Sequence, residues 1–329
     1  MEVLPDFSLL RPASIADAVL ASAQNPECRW LGGGTDLLVN LRRGIGEAPE
    51  TLIDLRGVEE LCALEATAEN LIIGASVTLA ALAQHPGVAE HYPGVAQAAH
   101  SVAGPTHRQM GTVGGNLCLD TRCLYYNQSE WWRGANDYCL KYGGTRCHVA
   151  PKSEVCFATF SGDLAPALMV LGAEAEVAGP DGQRTLPLAE LYTGDGQSYL
   201  ALLPGEMLTR VSITGTSGRR SAYEKMRVRR SIEFPLAGVA VALTREGDTL
   251  ASLKVAITGT NPRPVLLEGT DDLCGGALDD GLLDRLDDLV RDQVMSMKTT
   301  FTAGHYRRRV AGVLVRRVIR QLFEGPETG

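Results

Sequence analysis

Arg29-Trp30-Leu31-Gly32-Gly33-Gly34-Thr35-Asp36-Leu37-Leu38-Val39-Asn40-Leu41 runs a short apolar strand into three consecutive glycines and then into the apolar spacing of a helix, which Gly44 would end. The run lacks the G-x-G-x-x-G spacing of a dinucleotide fold and the lysine of a P-loop. On its own, such a run is most often a plain tight turn. Glycines ahead of a helix also let a ligand approach the backbone, whose N–H groups can then hold pyrophosphate oxygens. Further along, Thr112-Val113-Gly114-Gly115-Asn116 forms a second glycine turn. Two such turns point to both sides of one elongated phosphate ligand, with Thr35, Thr112 and Asn116 adding side-chain hydrogen bonds.

Outward from these turns the texture is α+β. Ser14 reads as the N-cap of a first helix, 51–55 and 71–73 as strands, and 78–84 and 92–102 as helices. Residues 163–171 predict a helix ended by Gly172, and Pro180-Asp181-Gly182 turns a hairpin between 174–178 and 184–188. Strands follow at 222–228, 238–243 and 253–258, and two helices close the chain. Their apolar stripes are Leu283, Leu286, Leu289, Val290 and Val294, then Val310, Val313, Leu314, Val318 and Leu322. Arg307-Arg308-Arg309 and Arg316-Arg317 on the last helix read as a solvated or subunit-contacting face.

The 329 residues are 45% hydrophobic and 21% charged, which excludes disorder and allows a sizeable core in two or three domains. A net charge of −8 argues against nucleic acid as a partner. No basic leader followed by an apolar run opens the chain and no stretch is long and apolar enough for a membrane, so a cytoplasmic, reducing setting is expected. In that setting cysteines serve as ligands or catalysts more often than as disulfides.

Four of the eight cysteines and eight of the eighteen aromatic residues fall between Cys123 and Phe160, where neither helical nor strand periodicity is sustained. Loops this long are usually functional or disordered, and the cysteines and aromatics argue for function. Cys123, Cys139, Cys147 and Cys156 are separated by 15, 7 and 8 residues, without the close C-x-x-C pairs common at zinc. Four thiolates at varied spacing suit an iron-sulfur cluster first. Zinc and inert structural thiols remain open. Tyr125, Tyr126, Trp131, Trp132, Tyr138 and Tyr142 could wall such a site from water. Cys118 and His148 are neighbours of the ligand set, while Cys28, Cys62 and Cys274 read as small core residues. No nucleophile with its base and no acid/base carboxylate pair is evident, so no catalytic residue is assigned.

Taken together, Phe7-Ser8-Leu9-Leu10-Arg11-Pro12, the two glycine turns, Gly162-Asp163-Leu164-Ala165-Pro166 and Tyr306-Arg307-Arg308-Arg309-Val310-Ala311 resemble the flavin-binding medium subunits of the xanthine oxidase family of molybdenum hydroxylases. The resemblance spans nearly the whole chain. It implies an α+β fold: a vanillyl-alcohol-oxidase/PCMH-type FAD-binding domain of two subdomains (1–57 and 58–218), then a smaller C-terminal α+β domain (219–329). FAD would lie against Trp30, Leu31, Gly32, Gly33, Gly34, Thr35, Asp36 and Leu37, and against Thr112, Val113, Gly114, Gly115 and Asn116. Its pyrophosphate would meet the backbone of 32–36 and 114–116, with Asp163 at the isoalloxazine edge and Lys225 near the flavin.

Ordinary members pass almost directly from the second glycine turn to the aspartate segment. Here residues 117–160 intervene, and with Asn127-Gln128-Ser129-Glu130-Trp131-Trp132-Arg133 they are similar to the insertion of 4-hydroxybenzoyl-CoA reductase beta subunits, which holds one 4Fe-4S cluster. By that resemblance Cys123, Cys139, Cys147 and Cys156 are the metal ligands. Electrons from ferredoxin would pass through the cluster and FAD towards 2Fe-2S clusters on a small subunit and molybdopterin on a large one, in a dimer of heterotrimers. The phenolic hydroxyl of 4-hydroxybenzoyl-CoA would be removed on the large subunit, in anaerobic aromatic degradation. The alternatives are a related molybdenum hydroxylase, dehydrogenase or hydratase acting on another aromatic or steroid-like substrate, or a zinc-stabilised FAD-binding module. An acidic ferredoxin would dock on a basic patch, expected at Arg122, Arg133, Lys141, Arg146 and Lys152.

Overall fold

The computed structural model describes residues 3–215, 218–297 and 302–325. The expected boundary at 218/219 thus follows two residues, 216 and 217, that lie outside the described ones, as do the chain ends. The first unit is a three-stranded parallel sheet in the order β1-β3-β2, built from β1 (Ser8–Leu10), α1 (Ile15–Gln24), β2 (Cys28–Leu31), α2 (Leu37–Arg42) and β3 (Thr51–Asp54). Ser14 caps α1 as expected, accepting a hydrogen bond from the Asp17 N–H. Central β3 is buried throughout, and β2 runs parallel to it until Leu31 faces Asp54. The first glycine turn therefore leaves the carboxyl end of a parallel strand, where open sheets of this kind receive ligands.

The second unit begins with β4 (Leu64–Ala66) and β5 (Asn70–Gly74). Five short helices follow: α3 (Leu79–Gln84), α4 (Pro86–His91), α5 (Pro93–Ser101), α6 (Pro105–Met110) and α7 (Val113–Leu117). After α8 (Glu130–Ala135), inside the cysteine segment, come α9 (Leu164–Met169), β6 (Glu174–Gly179), β7 (Gly182–Pro187) and β8 (Met207–Thr214). The strands form one antiparallel sheet in the order β4-β5-β8-β6-β7. Its middle strand, β8, buries Leu208, Val211 and Ile213 but is interrupted by exposed Arg210, and the sequence pattern does not reveal it. Tyr92, Phe160, Leu164 and Leu168 are fully buried between sheet and helices.

In the third unit β9 (Arg220–Met226), β10 (Ala237–Glu246), β11 (Thr249–Thr258) and β12 (Val265–Leu266) make an antiparallel meander, covered by α10 (Asp280–Gln293) and α11 (Gly304–Glu324). The expected stripes hold with one correction. Val313 is 50% exposed, and Ala311, Val315 and Ile319 complete the buried face of α11 instead. The basic run is largely spent within the chain: Arg307 is buried and donates to the Gly259 carbonyl, Arg316 pairs with Asp284 and Asp287 of α10, and Arg317 pairs with Glu224. No described helix is long and apolar enough to cross a membrane.

Candidate functional site

The first glycine turn is held from behind and left open in front. A Cβ on Gly33 would lie 1.8 Å from the Met110 carbonyl oxygen, and one on Gly32 would lie 2.6 Å from Thr112 Oγ1. The two turns that the sequence singles out therefore pack directly on each other. Gly34 takes a φ of +72°, open to glycine at no steric cost. The carbonyls of Gly34 and Asp36 accept from Leu38 and Asn40 as α2 begins. By contrast, the backbone N–H groups of Gly32, Gly33, Gly34, Thr35 and Asp36 donate no hydrogen bond among the described residues, and these residues are half-exposed. A row of open N–H donors fits the pyrophosphate of FAD.

The second turn is built differently. Thr112 caps α7 by accepting from the Gly115 N–H, Gly114 donates to the Ala75 carbonyl, and Asn116 N–H donates to the Thr112 carbonyl. These donors were expected to meet pyrophosphate, yet in the structure they are satisfied internally because the segment coils into a one-turn helix. Asn116 likewise spends its Oδ1 on the Leu164 N–H, 3.1 Å away, joining this turn to the start of α9. The second turn is thus a buttress for the first.

Asp163 and Lys225, 62 positions apart, are brought together. Lys225 Nζ stands 3.0 Å from both carboxylate oxygens, and the Tyr223 hydroxyl donates to Oδ1 at 2.5 Å. Burial pushes the Asp163 carboxyl up and the Lys225 ammonium down, while each partner's charge opposes that shift. The pair ties α9 to β9. Tyr223, which completes the pair, carries no signal in the sequence.

The cysteine segment has a narrow neck. Arg122 and Thr159 exchange two backbone hydrogen bonds of 2.7 Å, so the chain enters and leaves side by side. Beyond the neck, Ser129 caps α8 by accepting from the Trp132 N–H, and residues Leu140–Tyr142 form a turn of 3-10 helix. Cys123, Cys139, Cys147 and Cys156 are all buried, and Cys123 and Cys156 share an apolar cluster with Ile45, Tyr126, Ala158 and Met297. The Ala158 N–H donates to Cys156 Sγ at 3.4 Å, and nearby backbone N–H groups work against the upward push of burial on the Cys123 and Cys139 thiols. The Cys147 thiol is pulled down to about 5, first by the hydrogen bond it shares with Cys156 and against the opposing effect of burial. Cys156 is pushed up by the same bond and by burial. Among the described residues, no three His, Cys, Asp or Glu side chains converge closely enough to hold a metal ion.

Cys118 is half-buried, with desolvation pushing its thiol up to about 12, while His148 stacks on Tyr125 and meets the Tyr138 carbonyl. Of the three cysteines expected in the core, Cys62 is exposed and Cys28 and Cys274 are half-buried.

The expected basic patch is not on the surface. Arg133 is 2% exposed, donates to the carbonyls of Gly44, Tyr126 and Gln128 and stacks on Tyr142. Lys141, 5% exposed, binds Asp120 and the Gly196 carbonyl. Arg122 pairs with Asp36, donates to Asn40 Oδ1 at 3.3 Å and lies over the Phe234 ring. Only Arg146 and Lys152 remain exposed. Unsatisfied loop carbonyls and carboxylates draw the other three heads inward. The link from Arg122 to Asp36 spans 86 positions and is invisible in sequence, whereas the Asp36–Asn40 hydrogen bond follows an i, i+4 spacing that could have been read.

Residues 5–213 match the family described as FAD binding domain in molybdopterin dehydrogenase, and residues 221–322 the CO dehydrogenase flavoprotein C-terminal domain. The chain is 34% identical over 275 residues to the aldehyde oxidoreductase FAD-binding subunit PaoB of Escherichia coli (strain K12), covering 80% of this chain and 85% of that one. It is 29% identical over 317 residues to the carbon monoxide dehydrogenase medium chain of Afipia carboxidovorans, covering 95% of each. The solved structure of reconstituted CO dehydrogenase from Oligotropha carboxidovorans superposes with a TM-score of 0.80 at 27% identity, over 98% of this chain and 100% of that one.

Proposed function

The chain belongs to the FAD-binding medium subunits of the xanthine oxidase family, electron-transferring flavoproteins of molybdenum hydroxylases, and from that premise we propose that it holds a second redox group, one 4Fe-4S cluster on Cys123, Cys139, Cys147 and Cys156. The observation that carries this is the donor set: four buried thiols from one inserted loop, with the Ala158 N–H donating to Cys156 Sγ at 3.4 Å. Hydrogen bonds to sulfur and exclusion of water are the means by which a protein sets the potential of such a cluster.

When bound, FAD and the cluster supply the electron chemistry, and the protein supplies position and surroundings. The open N–H groups of Gly32 to Asp36 bind the FAD pyrophosphate, with the second glycine turn fixing their spacing. Asp163, Tyr223 and Lys225 join the flavin-binding domain to the C-terminal one. Tyr126 and Tyr142, with the buried Arg133 and Lys141 packed on them, keep water from the cysteines.

The reading carries with it a large molybdopterin subunit and a small 2Fe-2S subunit, by analogy with the CO dehydrogenase of which the Afipia relative is the medium chain. It also carries ferredoxin as electron donor and 4-hydroxybenzoyl-CoA as the substrate reduced on the large subunit, both on the strength of the insertion. Purified without air, each chain is expected to hold one FAD with about four iron and four acid-labile sulfides. One zinc and no iron per chain overturns the cluster. A purified complex that oxidises an aldehyde or carbon monoxide and leaves 4-hydroxybenzoyl-CoA untouched overturns the substrate.

A further inference from the structure

Arg122 touches three parts of the molecule at once. Its backbone closes the neck of the insertion with Thr159, one residue before Cys123. Its guanidinium pairs with Asp36 and donates to Asn40, at the start of α2 and the end of the open N–H row. The Phe234 ring, from the segment between β9 and β10, lies 5.0 Å from it. The paired carboxylate is about one-third exposed, at 34%, and Asn40 Nδ2 donates to its other oxygen at 3.1 Å. A carboxylate beside a pyrophosphate repels it, so a cation held against that carboxylate favours the anion. The residue that carries this cation also closes the neck of the insertion, so the cysteine segment and the cation share one anchor.

We propose that Arg122 is a positioning residue that couples the two redox sites, so that filling the cysteine site tightens FAD binding and FAD binding in turn favours a filled cysteine site. This coupling rests on the cluster reading above. Linkage makes it reciprocal, and couplings of this kind commonly amount to roughly 5–150-fold.

The test uses the full chain stripped of flavin and iron. FAD is titrated into one sample kept iron-free and reduced, and into one reconstituted anaerobically with iron and sulfide. In the wild type the reconstituted sample is expected to bind FAD about tenfold more tightly. In Arg122→Met the ratio should fall to about one, and in Asp36→Asn it should fall likewise. Arg122→Lys, which keeps the charge, should retain part of it. Should Arg122→Met fail to fold, Asp36→Asn and Arg122→Lys decide the matter. A wild type that takes up its iron yet binds FAD equally in both states overturns the coupling alone, as does a ratio preserved in Arg122→Met. A wild type that takes up no iron overturns the cluster reading and the coupling together.

Discussion

Replacing Gly33 with alanine separates two roles a glycine can play in a phosphate turn. A Cβ there would lie 1.8 Å from the Met110 carbonyl oxygen, 2.4 Å from its carbon and 2.8 Å from the Gly111 nitrogen. All three are backbone atoms, so no rotamer relieves the clash. Reaching even a tight 3.4 Å contact requires the two turns to part by about 1.6 Å. Overpacking typically costs about 1–3 kcal/mol, and an obstacle made of backbone sits at the upper end, about 3 kcal/mol. At about 2 °C per kcal/mol for a chain of this size, the flavin-free protein should melt about 6 °C lower. FAD affinity should fall as well, because the N–H row moves with the turn. Gly44→Ala is the control: its φ is +62°, but nothing lies within 4 Å of the added Cβ. It should lose only about 1–2 kcal/mol of left-handed strain and keep FAD. The assay is thermal unfolding of both flavin-free variants beside FAD titration. If Gly33→Ala melts like the wild type yet loses FAD, the glycine serves ligand approach and the packing account is wrong.

Cys139→Ser should lose most of its iron while keeping FAD, and iron and sulfide counts check this; unchanged iron means the ligand set is wrong. Lys225→Met leaves the buried Asp163 carboxylate without its cation and should cost about 3–5 kcal/mol in urea unfolding, with Asp163→Asn in the same chain restoring part of it. Asp54, held below the usual carboxylate range chiefly by hydrogen bonds from Arg56, contributes stability that is full above its ordinary value near 3.9. That contribution is lost as pH falls through the lowered value. The melting-temperature gap between wild type and Asp54→Asn should therefore be widest at about pH 7 and narrow steadily as pH falls below about 3.9, and a gap constant with pH refutes it.

Much of the fold was legible because short-range chemistry writes it. Ser14 and Thr78 cap the helices they precede, Gly182 turns its hairpin with a φ of +111°, and the stripes of α10 and α11 face the meander. The cysteine segment was legible as a break in periodicity, although α8, at six residues, is too short to show a period of its own. What could not be read depends on distant partners. β8 is a strand because β5 and β6 flank it, and Arg133 and Lys141 are buried because carbonyls elsewhere in the chain receive them. Glycine itself is ambiguous in sequence: the residue that admits a phosphate and the residue that admits Met110 are written alike.

The two hydrogen bonds between Arg122 and Thr159 have an architectural consequence. They let residues 123–158 leave and rejoin the flavoprotein chain at one point, although the segment also packs on the host through Gly44, Gly196 and Met297. The host chain at the two residues of the neck is already side by side, so joining them with a tight turn adds little loop-closure entropy and leaves the threading of every sheet intact. The same junction could receive the segment in a relative that lacks it, provided the recipient offers an acidic residue where Asp36 stands, since the neck alone would leave the arginine without its anchor.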